Sequence, residues 1–226
     1  LNQILAGLPA RELQRLQSHF EVVRLEFGSV LYEPGSPISQ VYFPLDCLIS
    51  LLTEVDRHRS LEVGMIGPEG MAGLSVALGV SHSEVRAIVQ GAGQALRLPT
   101  TYFKSSFGAS SALRSAVLLH AHALMTQISQ TAACNRFHDA KARLARWLLM
   151  TADRVSTGEF AVTQEFLAHM LGLRRVGVTE AAGLLRRKRL IGYSRGRLQI
   201  LDRKGLERAS CTCYLRVNTA IARLAA

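Results

Sequence analysis

A chain in which residues 163–191 repeat apolar side chains at helical spacing on both sides of one glycine has few folds open to it. The segment reads Thr-Gln-Glu-Phe-Leu-Ala-His-Met-Leu-Gly-Leu-Arg-Arg-Val-Gly-Val-Thr-Glu-Ala-Ala-Gly-Leu-Leu-Arg-Arg-Lys-Arg-Leu-Ile. Thr163 is a good N-cap, and Glu165 sits in the first turn, where the helix dipole favours an anion. Phe166, Leu167, Met170 and Leu171 form one apolar stripe. Gly172 suits the left-handed position that ends a helix and opens a tight turn. Val178, Ala181, Ala182 and Leu185 make the next stripe, with small alanines where two helices cross closely. At about 100° per residue, Val176, Glu180, Gly183 and Arg187 fall on the opposite side. This is the pattern of a helix-turn-helix. Its second helix, with Arg174 and Arg175 at the positive end and Thr179 one turn on, would enter a major groove of duplex DNA. A plain helical hairpin in an all-α domain would show the same period.

Charge favours the DNA reading. Residues 1–137 hold 10 Lys and Arg against 10 Asp and Glu, whereas residues 138–226 hold 17 against 7. The whole net charge of +10 thus lies in the C-terminal part. Neutralised phosphates give sequence-independent affinity and a steep salt dependence. The run Arg186-Arg187-Lys188-Arg189 closes the second helix, although a solvated helix end would also favour cations there. Leu190-Ile191-Gly192-Tyr193 and Leu198-Gln199-Ile200-Leu201 flank Ser194-Arg195-Gly196-Arg197. Two β-prone runs about a glycine turn read as a hairpin. Behind a helix-turn-helix it would be a wing, offering Arg195 and Arg197 to phosphates or the minor groove. Asp202 then caps a last helix through Leu206.

The N-terminal half has another texture. From about Phe20 to Leu98, short apolar runs are punctuated by glycines, as in an antiparallel β-sandwich, barrel or roll. From Ser110 to Cys134 a helical pattern without proline would extend for about 37 Å. Leu113, Val117, His120, Leu124, Gln127 and Thr131 recur in steps of four and three, the spacing of a coiled-coil seam. That seam predicts a homodimer, since a winged helix alone reads half a site; a helix packed on its own β-domain is the alternative. A further helix is predicted over Asp139–Ala152, with Leu144, Trp147 and Leu148 facing the core.

These parts, in this order, resemble the Crp/Fnr family of bacterial transcription regulators. The likeness runs from Phe27-Gly28-Ser29-Val30-Leu31-Tyr32-Glu33-Pro34-Gly35 to the wing, and is most specific at Thr163, Gly172, Arg175, Val178, Glu180, Leu185, Leu190 and Ile191. The resemblance implies an α+β fold. Residues 1–109 would form a jelly-roll-like antiparallel β-roll of the cyclic-nucleotide-binding type. Residues 110–136 would form a long dimerisation helix, and residues 137–226 a winged helix-turn-helix. It further implies a homodimer on a palindromic site, RNA polymerase as an additional partner, and a cytoplasmic location. Arg175 stands at the family's guanine-binding arginine; Glu180 would accept from a cytosine amino group, and Val176 would touch a thymine methyl. Family members often carry a glutamate and an arginine at the positions of Val176 and Glu180, so the resemblance leaves the operator sequence open.

The roll departs from the nucleotide pattern. Relatives that bind cyclic AMP carry Gly-Glu, then Arg followed by Ser or Thr. Here Ala72 and Gly73 fall at the first pair and Ser83 at the arginine, with Arg86 three residues on. A buried cyclic phosphate without its cation would be poorly compensated, which argues against cyclic AMP. Another small effector, held by Glu69, Gly70, Met71, Ala72, Gly73 and Arg86 and facing Ser129 and Gln130, is one expectation; a roll without ligand is the other.

Cys47, Cys134, Cys211 and Cys213 form no N-terminal group of the kind that iron–sulfur members use. Cys211-Thr212-Cys213 has one intervening residue, against the two to four of common zinc sites. Unpaired thiols in a reducing cytosol are expected, with redox or metal chemistry as the alternative. No paired nucleophile and base, metal spacing or phosphate loop suggests an enzyme. No run of 18 apolar residues suggests a membrane span. The chain opens on Leu1 rather than methionine, which leaves open whether the native N-terminus is longer. A ligand-independent DNA-binding regulator, or a cyclic-nucleotide-binding regulatory subunit without DNA function, stays open as an alternative to an effector-controlled regulator.

Overall fold

A computed structural model describes residues 1–56, 59–155, 159–194 and 196–223. Two short helices, α1 (Gln3–Ala6) and α2 (Ala10–Gln17), precede strands β1 (Glu21–Leu25), β2 (Val30–Tyr32), β3 (Gln40–Pro44), β4 (Leu48–Asp56) and β5 (Arg59–Ile66). A 3-10 turn (Leu74–Leu78), β6 (Arg86–Gly91) and β7 (Gly93–Pro99) complete the roll. Helices α3 (Thr100–Ala109), α4 (Ser111–Phe137) and α5 (Ala140–Ala152) follow. Next come β8 (Glu159–Ala161), α6 (Gln164–Leu171), α7 (Arg175–Arg187), β9 (Ile191–Ser194), β10 (Arg197–Ile200), α8 (Arg203–Ala209) and α9 (Cys213–Ala222). The roll is two antiparallel sheets, ordered β1-β7-β3 and β2-β6-β4-β5, and the wing is a third, β8-β10-β9. The α+β architecture is the expected one. The β8 strand and the α9 helix are additions to the sequence reading. The Ser110 hydroxyl, accepting from the Leu113 N–H at 2.9 Å, starts α4 afresh after α3.

Strand β4 reads as a continuous apolar run because both of its faces are covered. Ile49 points into the roll core with Val41, Phe43, Ile66 and Val89. Leu48 and Leu52 point the other way and, with Met65, belong to the core of the C-terminal domain beside Leu144, Trp147, Leu148 and Leu149. One apolar core therefore crosses the domain boundary. Between Leu48 and Leu52, Ser50 starts a buried polar chain. Its hydroxyl lies 2.7 Å from the Glu62 carboxyl and also meets the Gln90 amide oxygen. Trp147 Nε1 donates to Glu62 at 3.1 Å, and Gln90 Nε2 donates to Thr151 at 3.2 Å. With one hydroxyl proton, Ser50 can donate to only one of its two acceptors, Glu62 and Gln90, at a time.

Helix α4 corrects the sequence reading. The stripe predicted as a dimer seam is turned onto its own protomer. Leu113 and Val117 join the roll core. The His120 ring sits against Gly70, where a Cβ would lie 2.2 Å from it, and its Nε2 is 3.3 Å from the Met71 N–H. The Gln127 side chain accepts from the Met65 N–H (2.6 Å) and donates to its carbonyl (3.0 Å). Leu124 packs toward Gly64, and Thr131 accepts from Arg146 at 3.2 Å. The reason is polar satisfaction: His120, Gln127 and Thr131 find intrachain partners, as buried polar groups must. One residue further along, at the same three-four spacing, Leu118, Ala121, Met125, Ile128 and Ala132 form a different apolar stripe. Leu118 is 47 % exposed, Met125 67 % and Ile128 38 %.

Burial pushes the Glu62 carboxyl up from its usual 4.5 to about 7, against the pull of Ser50, Arg146 and Trp147. Between those values the folded chain keeps a proton that the unfolded chain has released. The stability tied to it is fully present below about pH 4.5 and lost as the pH rises through about 7, on the order of 3 kcal/mol at about 1.4 kcal/mol per pK unit. Buried His120, its pKa lowered chiefly by desolvation, gives the opposite slope near neutrality. It is common to wild type and Glu62→Gln, so their difference isolates Glu62. Urea unfolding at about pH 5 and about pH 8 should show wild type losing a few kcal/mol relative to Glu62→Gln over this range. A constant difference would mean that Glu62 does not hold the proton.

Candidate nucleic-acid interface

The Thr163 side chain accepts from the Phe166 N–H at 3.0 Å and caps α6. Gly172, at φ 57° and ψ 41°, is left-handed and turns the chain toward α7. Leu167, Met170 and Leu171 meet Val178, Ala181, Ala182 and Leu185 in one buried core. Two contacts beyond the sequence reading fix the pair. Arg143 of α5 donates to the Leu171 carbonyl and so satisfies the end of α6. The Thr179 hydroxyl lies 2.8 Å from Gln164 Oε1 and 3.0 Å from the Arg175 carbonyl, bracing α7 against the start of α6. Helix α6 also rests on β5, and its Phe166 ring lies 5.6 Å from that of Phe27.

With this core fixed, the opposite side of α7 is left to solvent. Arg174, Arg175, Val176, Thr179, Glu180 and Arg187 are all exposed, Val176 by 67 %. Arg174 is the N-cap and makes no side-chain cap bond, so the first N–H groups of α7 face outward as donors at the positive helix end. Such an end suits a phosphate. Arg186, Lys188 and Arg189 are exposed at the other end. Arg197 stands exposed on β10 of the wing; Arg195 lies outside the described residues. The Tyr193 hydroxyl donates to the Val162 carbonyl at 3.0 Å and fastens the wing to the start of α6. Exposed Thr163, the α7 face and the wing thus cluster on the basic domain, a surface able to combine phosphate contacts with base-edge hydrogen bonds.

The expected effector residues of the roll do not line one open pocket. Glu69 is buried in an ion pair with Arg154 at 2.7 Å and also accepts from the Gly67 N–H. The Gly70 carbonyl accepts from Asn2 at 2.7 Å, and the Gly70 backbone abuts His120. Met71 and Ala72 are fully buried, and Ala72 exchanges backbone hydrogen bonds with Tyr42. Gly73, at φ 92°, is pressed against Tyr32 and Val41. This stretch is a packed loop between roll and helices, which corrects the reading of Met71 and Ala72 as ligand groups, while Glu69, tied to Arg154, borders a cleft with Gln3 and Asn218. Ser83 is turned to the Val85 carbonyl. Arg86 lies on β6 in a half-exposed pair with Glu33 at 3.3 Å. Ser129 and Gln130 lie on the outer part of α4, exposed and half-exposed.

Residues 142–209 match the family model described as a Crp-like helix-turn-helix domain. No curated protein sequence matches the chain at a significant level. Solved structures give the fold. A Crp/Fnr-family regulator from Eubacterium rectale superposes with a TM-score of 0.71 at 17 % identity, covering 91 % of this chain and 96 % of its own. FixK2 of Bradyrhizobium japonicum gives 0.72 at 14 % identity, over 85 % and 98 %. CLP of Xanthomonas campestris, a regulator responsive to c-di-GMP, gives 0.69 at 17 % identity, over 85 % and 99 %.

The turn supplies a test of this geometry. A Cβ at Gly172 would lie 2.7 Å from Leu61 Cδ1, in a backbone conformation unfavourable to L residues. Gly172→Ala should therefore cost about 1–2 kcal/mol in urea unfolding. Adding Leu61→Ala should relieve the contact but not the backbone strain. No loss in the single variant would refute the assigned turn.

Proposed function

We propose that this chain, which carries a Crp-like helix-turn-helix domain and shares the fold of Crp/Fnr regulators, is a DNA-binding transcriptional regulator that reads a palindromic duplex site as a homodimer through the outer face of α7. The observation that carries this reading is that face: Arg175, Val176, Glu180 and Arg187 exposed on a helix held rigid from behind. In the proposed complex Arg175 donates to guanine N7 and O6. Glu180 accepts from a cytosine amino group, and Val176 covers a thymine methyl. Arg174, Arg187, Thr163 and the wing arginines hold phosphates, and Thr179 positions α7 from within.

The dimer would form through the outward stripe of α4, Leu118, Met125, Ile128 and Ala132, not through the stripe turned inward. Its occupant is the same stripe of a second copy. The three-four spacing suits a two-helix seam, and a palindromic site demands two-fold symmetry. The roll (1–109), the long helix (110–136) and the DNA-binding part (137–226) divide the labour of regulation, dimerisation and recognition. RNA polymerase is the further partner such a regulator would meet in the cytoplasm. The packed Glu69–Gly73 loop, Ser83 turned inward and Arg86 paired with Glu33 argue against cyclic AMP as the effector. No catalytic role is assigned.

Arg175→Ala should lose sequence-specific binding, read by fluorescence anisotropy on duplex from the protein's own upstream region with random duplex as competitor. At about 1–3 kcal/mol per base pair read, preference should fall about 5- to 150-fold per half-site while the dimer persists. Wild-type specificity in the variant would exclude Arg175 as the reader. Met125→Glu should sediment as a folded monomer and bind the same duplex weakly. A stable dimer in that variant would place the seam elsewhere.

A further inference from the structure

Where α4 leaves the roll, four side chains from two distant stretches of chain converge. Cys134 and His138 lie four residues apart at the end of the helix, so they share one face. Cys211 and Cys213 come from the segment that enters α9. Their ligand atoms all lie within 4.8 Å of one another. Cys134 Sγ is 3.4 Å from Cys211 Sγ, and Cys213 Sγ is 3.7 Å from His138 Nδ1. Bonds of about 2.3 Å to sulfur and about 2.0 Å to nitrogen give a tetrahedral zinc site edges of about 3.5–3.8 Å. Two of the separations are already close to that size, and the others, all within 4.8 Å, would contract by up to about 1 Å on binding. The three cysteines are buried, and His138 is half-buried.

A second observation points to an anion at this place. Arg146 is buried beside the thiols; its Nη2 donates to Thr131, but Nε and Nη1 have no hydrogen-bond partner among the described residues. An uncompensated buried guanidinium is costly. Zinc held by three thiolates and one imidazole carries a net charge of −1, a counter-charge for Arg146 beyond the Glu62 carboxyl, which burial pushes toward its neutral form.

We propose that Cys134, His138, Cys211 and Cys213 bind one zinc ion in a closed tetrahedral site that staples α9 to the base of α4. Four protein ligands leave no open position, so the site is structural and not hydrolytic. Thiolate and imidazole donors favour zinc over calcium or magnesium. An iron–sulfur cluster shares its ligands among several metal atoms and would need them further apart. A Cys134–Cys211 disulfide would leave Cys213, His138 and the Arg146 charge without a role. The site lies at the His138-Asp139 break between α4 and α5, where the proposed dimer helix hands over to the DNA-binding domain. Zinc there fixes the C-terminal helix against that hinge. A surface cleft lined by Arg208, Ser210, Cys211 and Thr212 reaches one edge of the cluster.

The test uses the full chain, purified reduced and without chelator. Elemental analysis should find about one zinc per chain in wild type and in Cys47→Ala, whose thiol lies in the roll core. Cys211→Ser and Cys213→Ser should lose it. Because either variant could fail to fold, wild type is also titrated with an organomercurial. Zinc should then leave as three thiols react. Cobalt(II) added to the metal-free reduced chain should give the visible bands of tetrahedral thiolate coordination. Full zinc retention in Cys213→Ser, failure of the reduced chain to take up zinc or cobalt, or a Cys134–Cys211 disulfide as the state of the purified protein would each overturn the proposal.

Discussion

The arrangement of this protein depends on β4 having two buried faces. Alternate residues of a strand point to opposite sides, so Ile49 completes the roll while Leu48 and Leu52 complete the domain that follows α4. Neither core closes without the other's strand or helix. Ser50 lies on the shared face, and its polar chain through Glu62 and Gln90 to Trp147 and Thr151 fixes the register of α5 on the sheet. Apolar burial supplies the adhesion, and these directional bonds choose one orientation among the many that burial alone would tolerate. The Glu69–Arg154 pair, at the edge of the same contact, does the same for the loop after β5.

From that contact the candidate interface follows. Helix α5, held by the sheet, presents Arg143 to the end of α6, and α6 with Gly172 sets where α7 begins. The outward face of α7 is outward because its small-residue side is consumed by this stack.

The helix-turn-helix and the wing were legible because their signals are local. Thr163 caps three residues on, Gly172 needs only its own φ, and the two stripes recur within single helices. On α4 the spacing alone does not say which side packs inward. Both stripes carry the three-four spacing, and spacing cannot say which partner each faces. His120, Gln127 and Thr131 were the available clue: polar groups at regular intervals in a stripe mark a face that meets backbone and side-chain partners, whereas Leu118, Met125 and Ile128 on the neighbouring line need only another apolar surface. The loop from Glu69 to Gly73 was assigned to a ligand through its place in a familiar order. Its contacts with Asn2, His120 and Arg154 span tens of residues and leave no mark at that spacing.

By itself the sequence determined the kinds of element, the basic C-terminal part and the outer face of α7, because helical and strand periods, caps and net charge are properties of short stretches of chain. Tertiary structure decided which side of α4 is inside, that Glu62 is buried with a raised pKa, and that Cys134 and His138 meet Cys211 and Cys213. Each of those depends on surfaces brought together from distant parts of the chain. A residue's own neighbours fix its conformation and direction, but only the packed fold fixes what stands opposite it.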